Sequence, residues 1–265
     1  MYEELYAPLP DSGPYLERIN WREPVSLTRE TLSGLAFAHQ KAVPFENYDI
    51  CELGRPISLE IPHLYEKIAV NRRGGYCFEL NAGFAALLSA LGFEVWPILA
   101  RIYRGPMGEQ PMPPMHRVNL ICIGDEKYFT DVGFGGPMPA GALLLKEEIL
   151  QEVWGVTYRF ERRPHHRWTL FRETSEKVME PMIGFTEVPS EPVDFLTPNY
   201  HTSTHPDSLF TRTRMANIRF DDGFASINTE KFHLARGGND ETVEIKTKEQ
   251  EFNLLKEYFG ISLSE

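Results

Sequence analysis

Cysteine is scarce in this sequence. Its 265 residues include three cysteines, Cys51, Cys77 and Cys122, an odd number with no closely spaced pair. Small disulfide-rich folds and structural zinc sites both need several cysteines at short spacings. The sequence therefore predicts neither a disulfide framework nor a metal site, and it favours a compartment that keeps thiols reduced.

Positive charge and long apolar runs are also lacking. Lys and Arg number 27 against 38 Asp and Glu, which gives a formal net charge of -11 at pH 7. Nucleic acids and anionic membranes attract Lys and Arg, so neither is expected as a partner. No apolar run has the length of a membrane span, and residues 1–13 lack the basic and then apolar regions of a secretory leader. These absences predict a protein of the cytoplasm.

Apolar residues, in contrast, are sufficient for a substantial core, since 42% of the chain is hydrophobic. Their spacing predicts helices over residues 26–43, after Pro62, over 77–93 and over 248–260. A proline-rich loop is predicted over 105–115. Short β-branched and aromatic runs predict strands near residues 94–105, 116–125, 126–134, 155–163, 167–173, 214–220 and 224–235. Helices first, strands in the middle and a mixed tail predict an α+β fold.

Cys77 lies in the stretch RRGGYCFELN, between a glycine pair and the predicted start of a helix. Gly74 and Gly75 allow close approach of the backbone and unusual φ values. The free N–H groups and the dipole at a helix start favour a thiolate over a thiol. The alternative is a buried structural thiol, which is the common state of a cysteine and fits Cys122 well.

His116 and Asp131 are the candidate partners of this thiol. His116 opens a predicted strand directly after the proline-rich loop, so its ring is expected at a strand edge rather than in mid-core. Asp131 ends the next strand of a predicted hairpin, and neighbouring antiparallel strands can bring an imidazole beside a carboxylate. Such a carboxylate would fix the tautomer and stabilise the imidazolium once the thiol proton has moved. The order Cys, His, Asp is by itself weak evidence, because many chains contain it by chance.

Longer motifs carry more information. The sequence contains YLERIN over residues 15–20, the stretch PFENYDI, Arg-x-Gly-Gly-x-Cys-x-x-x-Asn ending at Asn81, Asp-Val-Gly-Phe-Gly over residues 131–135, and PNYHTSTHPDSLF over residues 198–210. In these motifs, which span roughly residues 15–210 in the expected order, the sequence resembles the arylamine N-acetyltransferase family.

The resemblance implies a fold and a reaction. The fold would have a cysteine-protease-like core, with an N-terminal helical domain over residues 1–95, a central β-barrel over 96–200 and a C-terminal α/β lid over 201–265. The enzyme would move an acetyl group from acetyl-CoA to an arylamine or arylhydrazine, or to the oxygen of an N-hydroxyarylamine. It would do so by ping-pong kinetics through an acetylated Cys77, with His116 and Asp131 completing a triad and no metal required.

The resemblance also implies supporting residues. Arg73 and Glu46 would form a buried ion pair, the alternative being two solvated charges, and Asn81 would reach Asp131. The aromatic acceptor would pack against three side chains that are otherwise plain core: Phe45, Phe134 and Phe210. The CoA pyrophosphate would meet backbone N–H groups and hydroxyls, unless the glycines form an ordinary turn: Gly133, Gly135, Gly136, Thr202, Ser203 and Ser208.

Three alternatives remain open at this point. One is a hydrolase or peptide-modifying enzyme that uses the same Cys-His-Asp arrangement without CoA. Another is a binding protein that keeps the fold without catalysis. The third is a branch of the same family that forms amides in an antibiotic pathway, which would share every residue named. Residues 138–195 contain no motif that identifies the acceptor, and the sequence does not predict an oligomeric state.

Overall fold

A computed structural model describes residues 2–103 and 112–263 of the chain. Within these residues the α-helices are α1 Ser12–Arg18, α2 Arg29–Ala42, α3 Tyr48–Cys51, α4 Ile61–Tyr65, α5 Cys77–Ala90, α6 Leu196–Thr204, α7 Leu209–Arg212 and α8 Lys248–Phe259. The strands are β1 Phe45–Glu46, β2 Glu94–Ile102, β3 His116–Ile123, β4 Glu126–Thr130, β5 Leu143–Leu144, β6 Gln151–Val153, β7 Val156–Arg163, β8 Arg167–Glu173, β9 Met179–Thr186, β10 Met215–Phe220, β11 Gly223–Asn228, β12 Lys231–Arg236 and β13 Asn239–Glu244. Most of the predicted proline-rich loop, residues 105–111, lies outside the described residues.

The described part of the first ninety residues is mainly helical, as predicted. The helix α2 begins after Thr28, whose hydroxyl accepts a hydrogen bond from the Thr31 N–H at 3.3 Å, and not at Ser26 as the spacing suggested. The helix α4 carries Pro62 in its first turn, where the missing N–H has no partner to lose. The chain then continues as a π-helical turn over Glu66–Val70. This turn places Lys67 in the interior.

The helix α5 lies in the centre of the largest apolar core. Each residue from Cys77 to Ala85 is buried, so the helix has no solvent-exposed face along its first two turns. It packs against β2 and β3 of the neighbouring sheet. A helix buried on all sides presents its first residue to the interior, which is where the candidate nucleophile lies.

The central part of the chain forms a nearly closed barrel. Within the described residues, eight strands pair antiparallel in the order β5-β4-β3-β2-β9-β8-β7-β6. The two edges approach each other at Gln151, whose side-chain amide donates to the Leu144 carbonyl and accepts from the Leu144 N–H, each at 2.8 Å. A bridge between Glu147 and Phe160 lies beside this contact. The predicted mixture of helices and sheets with a central barrel is therefore confirmed.

The C-terminal part forms a second sheet with the order β1-β10-β11-β12-β13, against which α8 packs. The prediction of one strand over residues 224–235 was wrong. The side-chain oxygen of Asn228 accepts from the N–H groups of Glu230 and Lys231, at 2.9 and 2.8 Å, and this turn divides the segment into β11 and β12.

The short strand β1 links the N-terminal helical part to the C-terminal sheet, because it precedes α5 in sequence but pairs with β10. The division into three domains at residues 95 and 200 stays a prediction, as do the cysteine-protease-like core and the lid. Among the described residues, no helix has the length and apolar character needed to cross a bilayer.

Candidate active site

Cys77 is the first residue of α5 and is 4% exposed. The chain reaches it through a tight contact with β1, where the Glu46 N–H donates to the Gly75 carbonyl at 2.8 Å. A Cβ atom on Gly74 would lie 2.0 Å from the Pro44 carbonyl oxygen, so the predicted close approach of the backbone is present. The predicted unusual φ is not, because the positive φ value of this segment, 56°, belongs to Arg72.

His116 and Asp131 meet as a buried pair. The ring Nε2 donates to Asp131 Oδ2 at 2.6 Å. His116 opens β3 and Asp131 directly follows β4, which pairs with β3. The expectation that the ring would project at a strand edge was wrong, since His116 is 1% exposed. The strand β3 lies between β2 and β4 in the sheet, so its first residue, His116, is in the interior.

Both carboxylate oxygens of Asp131 and its carbonyl oxygen accept hydrogen bonds. Its Oδ1 accepts from the Asn81 side-chain amide and from the Gly133 N–H, each at 2.9 Å. Asn81 in turn accepts from the Val132 N–H at 3.0 Å, so the predicted contact between Asn81 and Asp131 is present. The Gln40 side chain donates to the Asp131 carbonyl at 3.0 Å, which the sequence did not indicate because Gln40 lies on the distant helix α2. These contacts fix the carboxylate against rotation.

The His116 ring is strongly biased towards its charged form. Burial lowers its pKa, but the charge and hydrogen bond of Asp131 and then the adjacent Cys77 thiol raise it, with a net increase to about 10. The other ring nitrogen, Nδ1, is buried and has no hydrogen-bond partner among the described residues. An imidazolium that keeps its proton at neutral pH is the counter-ion that a thiolate at Cys77 requires.

A second polar group lies beneath the start of α5. The predicted ion pair is present, with Arg73 donating to Glu46 Oε1 from its Nε at 3.0 Å and from a terminal nitrogen at 2.7 Å. The group extends further than the sequence indicated, because Arg73 also pairs with Asp49. The Lys67 Nζ lies 2.6 Å from a carboxylate oxygen of Asp49 and 2.6 Å from one of Glu79. We call these five side chains the charged cluster.

The charged cluster supports the backbone beside the nucleophile. Glu79 accepts from the Tyr76 N–H at 3.0 Å, one residue before Cys77. Burial raises the pKa of Glu79, and the charge of Lys67 opposes this increase. Burial lowers the pKa of Lys67, but Glu79, Glu46 and Asp49 raise it above its usual value. The sequence analysis did not identify Asp49, Lys67 or Glu79 as members of this cluster. Glu79 could have been recognised from the sequence, because an acid three residues after a helix N-cap is a common capping residue.

Cys77 and His116 line a cavity of about 320 Å³. The three predicted aromatic contacts, Phe45, Phe134 and Phe210, all line it. Phe134 packs edge-on against His116, with ring centroids 5.7 Å apart. Side chains that the sequence did not single out complete the wall: Ile102, Met112, Pro113, Met115, His201, Asp207, Leu209 and Arg212.

The predicted CoA contacts are only partly assembled. Gly133, Thr202 and Ser208 line this cavity, whereas Gly136 lines a neighbouring one and Gly135 and Ser203 line neither. The hydroxyls already have protein partners, since Ser203 donates to the Asn199 carbonyl at 2.8 Å and Ser208 to the Thr202 carbonyl at 2.5 Å. Gly133 has a steric role, because a Cβ atom there would lie 2.9 Å from the Cys77 Cα.

Metal ligands are not assembled in the described ranges, where no group of three or more His, Cys, Asp or Glu side chains is placed to hold an ion. His165 and His166, adjacent in sequence, are exposed in the turn between β7 and β8. The site is instead a cysteine at a helix start beside a histidine–aspartate pair. This class of site forms covalent bonds with acyl groups.

Comparison with known proteins gives the family. The N-acetyltransferase family model matches residues 28–265. An arylamine N-acetyltransferase of Mycobacterium tuberculosis is 30% identical over 261 residues, covering 96% of this chain and 90% of that protein. A Salmonella typhimurium protein named arylamine N-acetyltransferase / N-hydroxyarylamine O-acetyltransferase is 31% identical over 249 residues, covering 90% of this chain and 84% of that protein.

Solved structures agree. The arylamine N-acetyltransferase from Salmonella typhimurium superimposes with a TM-score of 0.89 at 30% identity, over 98% of this chain and 94% of that one. The Mycobacterium marinum arylamine N-acetyltransferase in complex with CoA superimposes with a TM-score of 0.86 at 28% identity, over 95% and 93% of the two chains. The chain belongs to the arylamine N-acetyltransferase family, and its homologues identify it as an acetyltransferase.

Proposed function

We propose that the protein transfers the acetyl group of acetyl-CoA to aromatic amines through an acetylated Cys77. The observation that carries the proposal is the shared cavity, in which Cys77 adjoins a His116 ring that Asp131 orients and charges. A thiolate beside an imidazolium is a strong nucleophile at neutral pH, whereas an ordinary thiol is mostly protonated there.

In the first half-reaction, the Cys77 thiolate attacks the thioester carbonyl of acetyl-CoA. The carbon–sulfur bond to CoA breaks, and CoA leaves as a thiol with the proton that His116 carried. Asp131 holds the ring in place throughout. Because one thioester replaces another, the acetyl group keeps its transfer potential. The backbone N–H of Cys77 is a candidate donor to the oxyanion, since the first N–H groups of a helix have no partner within the helix.

In the second half-reaction, the amine attacks the acetyl carbonyl on Cys77. Neutral His116 accepts the amine proton, the bond between carbonyl carbon and sulfur breaks, and the thiolate–imidazolium pair is restored. An N-hydroxyarylamine would react in the same way through oxygen, an activity that appears in the name of the Salmonella relative. The aromatic rings of Phe45, Phe134 and Phe210 suit a flat acceptor, and the CoA-bound Mycobacterium marinum relative supports CoA as the donor product.

We propose fewer direct CoA contacts beside Cys77 than the resemblance implied, because only some of these residues line its cavity. Gly133, Thr202 and Ser208 are retained because they line the cavity. Gly135, Gly136 and Ser203 remain candidates only for parts of CoA that extend beyond it. The cytoplasm and the three-domain division are likewise proposals, the first because the three cysteines are free and form no disulfide framework.

A hydrolase on the same residues is the competing function. It would admit water to the acyl-cysteine and need no CoA. Most of the surface that lines the cavity is apolar, which suits an aromatic acceptor better than water, and the named relatives above are all acetyltransferases. A binding protein without catalysis is disfavoured because Cys77, His116 and Asp131 are all present, whereas a protein without catalysis would be free to lose them. An amide-forming biosynthetic enzyme would share this site and differ in its acceptor.

The test is to trap the intermediate. Acetyl-CoA labelled in its acetyl group is mixed with the protein without an amine, and the modified peptide is identified by mass spectrometry. We expect one equivalent of label on Cys77 and a matching burst of free CoA, followed by transfer when an arylamine or arylhydrazine is added. Cys77→Ala should lose both, while Cys122→Ala should keep both. Turnover by Cys77→Ala, or release of acetate in place of transfer, would contradict the proposal.

A further inference from the structure

A second cavity, of about 610 Å³, adjoins the cavity of Cys77. The two share Phe45 as a wall, and the loop after Asp131 contributes to both, with Gly133 in the first and Gly136 in the second. The second cavity lies between the barrel and the C-terminal sheet, because residues of β7, β8, β10 and β11 line it. Its size is that of a site for a small molecule.

Two arginines from different sheets line the second cavity, Arg172 of β8 and Arg219 of β10. Among residues 2–103 and 112–263 neither forms an ion pair, and the buried Nε of each has no hydrogen-bond partner. Their protein neighbours are neutral, since Arg219 donates to the Met138 carbonyl at 2.8 Å and Tyr158 is the cross-strand neighbour of Arg172. Buried polar atoms normally find partners, so a pair of arginines left in this state indicates a ligand.

The two cations also lie close enough to affect each other. Burial lowers the pKa of Arg219, Tyr158 opposes the decrease, and the charge of Arg172 adds to it. Like charges that share a partly enclosed space repel, and an anion between them removes the repulsion. The wall of the second cavity is therefore suited to a negatively charged group.

Acids in the same wall do not supply that negative charge. Asp221 and Asp222, in the turn between β10 and β11, both line the second cavity. Asp221 accepts from Lys41 at 2.6 Å and Asp222 from Arg236 at 3.2 Å, so each acid already has a cation of its own. Their side chains are 71% and 52% exposed, which places them on the solvent side. The charges of Arg172 and Arg219 remain uncompensated.

Exposed aromatic rings line the second cavity as well. Trp154 is 52% exposed and stacks on Phe37, with ring centroids 4.1 Å apart. Phe224, from the opposite sheet, is also exposed. Aromatic faces bind planar bases by stacking, whatever the identity of the base. The second cavity therefore combines two features, a pair of cations and a surface for a flat ring.

We propose that the second cavity is a nucleotide site, in which Arg172 and Arg219 bind a phosphate group and the rings of Trp154 and Phe224 hold the base. A phosphate matches two arginines better than a carboxylate does, because it carries up to two negative charges and accepts several hydrogen bonds at once. The nucleotide is either the adenosine phosphate portion of CoA, in which case the inference rests on the proposed function, or a free nucleotide. The wall shared with the cavity of Cys77 favours CoA.

The experiment measures nucleotide binding by titration calorimetry. Adenosine 3′,5′-bisphosphate, CoA, adenosine and inorganic phosphate are titrated into the wild-type protein, Arg172→Gln, Arg219→Gln and the double variant. We expect the wild type to bind the bisphosphate and CoA far more tightly than adenosine. Each single variant should lose about 10- to 100-fold in affinity for the bisphosphate, because a charge-assisted hydrogen bond is lost. Added KCl should weaken binding to the wild type more than to the double variant.

Arg162→Gln is the matched control. Arg162 is an arginine of β7 that packs on Trp168 and lines neither cavity. This variant should keep the wild-type affinity for every probe. Arg172→Lys and Arg219→Lys retain the charge and should lose less affinity than the glutamine variants, which separates the loss of charge from a disturbed fold.

Competition separates the two sources of the nucleotide. If CoA supplies it, CoA and the bisphosphate exclude each other in the wild type, and the glutamine variants raise the KM for acetyl-CoA. If a free nucleotide is the ligand, it and CoA bind at the same time. The inference is overturned if the wild type binds the bisphosphate no better than adenosine, or if the double variant binds it as the wild type does. Failure of the proposed function looks different, because the wild type would then bind the nucleotide but take no label on Cys77 from acetyl-CoA.

Discussion

Two buried polar groups flank the first turn of α5, and they differ in what they touch. The group around Asp131 reaches the cavity through His116, and its remaining contacts are neutral N–H donors. The charged cluster of Glu46, Asp49, Lys67, Arg73 and Glu79 lies on the other side, and none of its members lines the cavity. One group contacts a proposed reacting residue, and the other contacts only the backbone that carries it.

Because of this difference, substitutions in the two groups should have different effects on the acetylation rate and on the free energy of unfolding. Neutral donors around Asp131 leave its negative charge available to the His116 ring, which explains the raised pKa of that ring. The charged cluster instead pairs three acids with two bases, so most of its charge is compensated within the cluster. Removing one partner of a buried ion pair costs far more than the pair contributes, because the remaining charge is left without compensation. Changes in the first group should therefore lower the rate, and changes in the second should lower the free energy of unfolding.

The largest expected effect is that of Asp131→Asn. The asparagine keeps the shape but removes the charge and presents the wrong hydrogen-bonding group to His116. We expect the rate of Cys77 acetylation at pH 7 to fall about 1,000- to 10,000-fold. Single-turnover release of CoA measures the rate. Asp207→Asn is the control, because Asp207 lines the same cavity. A rate within tenfold of the wild type would remove Asp131 from the mechanism.

Lys67→Met tests the other side of the comparison. The change leaves the Asp49 and Glu79 carboxylates without their shared cation. We expect the free energy of unfolding to fall by about 3–5 kcal/mol in urea titrations. The control is Lys127→Met, which breaks a partly exposed pair with Glu187 and should cost about 0–1 kcal/mol. Equal losses in the two variants would mean that burial of the cluster does not matter.

Asn81→Ala should have an intermediate effect, because Asn81 connects Asp131 to α5. The change leaves Asp131 Oδ1 with one donor and leaves the Val132 N–H without its acceptor. An unsatisfied buried group costs about 1–3 kcal/mol, which corresponds to a rate loss of about 10- to 100-fold if it falls on the transition state.

The control for this variant is Asn119→Ala. It removes only the bond from Asn119 to the Asn81 carbonyl and leaves Asp131 fully bonded. We expect it to lower stability without the same loss of acetylation rate. Equal rate losses in both variants would show that general loosening of the core, and not the orientation of Asp131, limits the reaction.

The last expected effect is the pH dependence of stability. The pKa of His116 is raised to about 10 in the folded protein, against about 6.5 in an unfolded chain. A raised pKa means that the folded state holds the proton more tightly, so this stabilisation is complete below about pH 6.5 and is lost as the pH rises towards 10. The urea midpoint should fall over that window, and His116→Gln should flatten the decrease, whereas His201→Gln should not. A midpoint that rises over this window would contradict the assignment.

The sequence indicated the proposed reacting groups because each has a local pattern. Cys77 follows a glycine pair at a helix start, and Asp131 and Asn81 stand in recognisable motifs. Gln40 and Lys67 carry no such pattern. Each is an ordinary polar residue of a helical segment, and each acts through a partner that becomes a neighbour only after folding.

The sequence by itself determined the broad arrangement, with helices first, strands in the middle and a mixed tail, and the chemical types of the three candidate groups, because periodicity and capping act over a few residues. Tertiary structure alone decided the burial of His116, the extent of the charged cluster and the contact of Gln40 with Asp131. The physical reason is that charge interactions and desolvation depend on distances between segments far apart in the chain, and folding sets those distances.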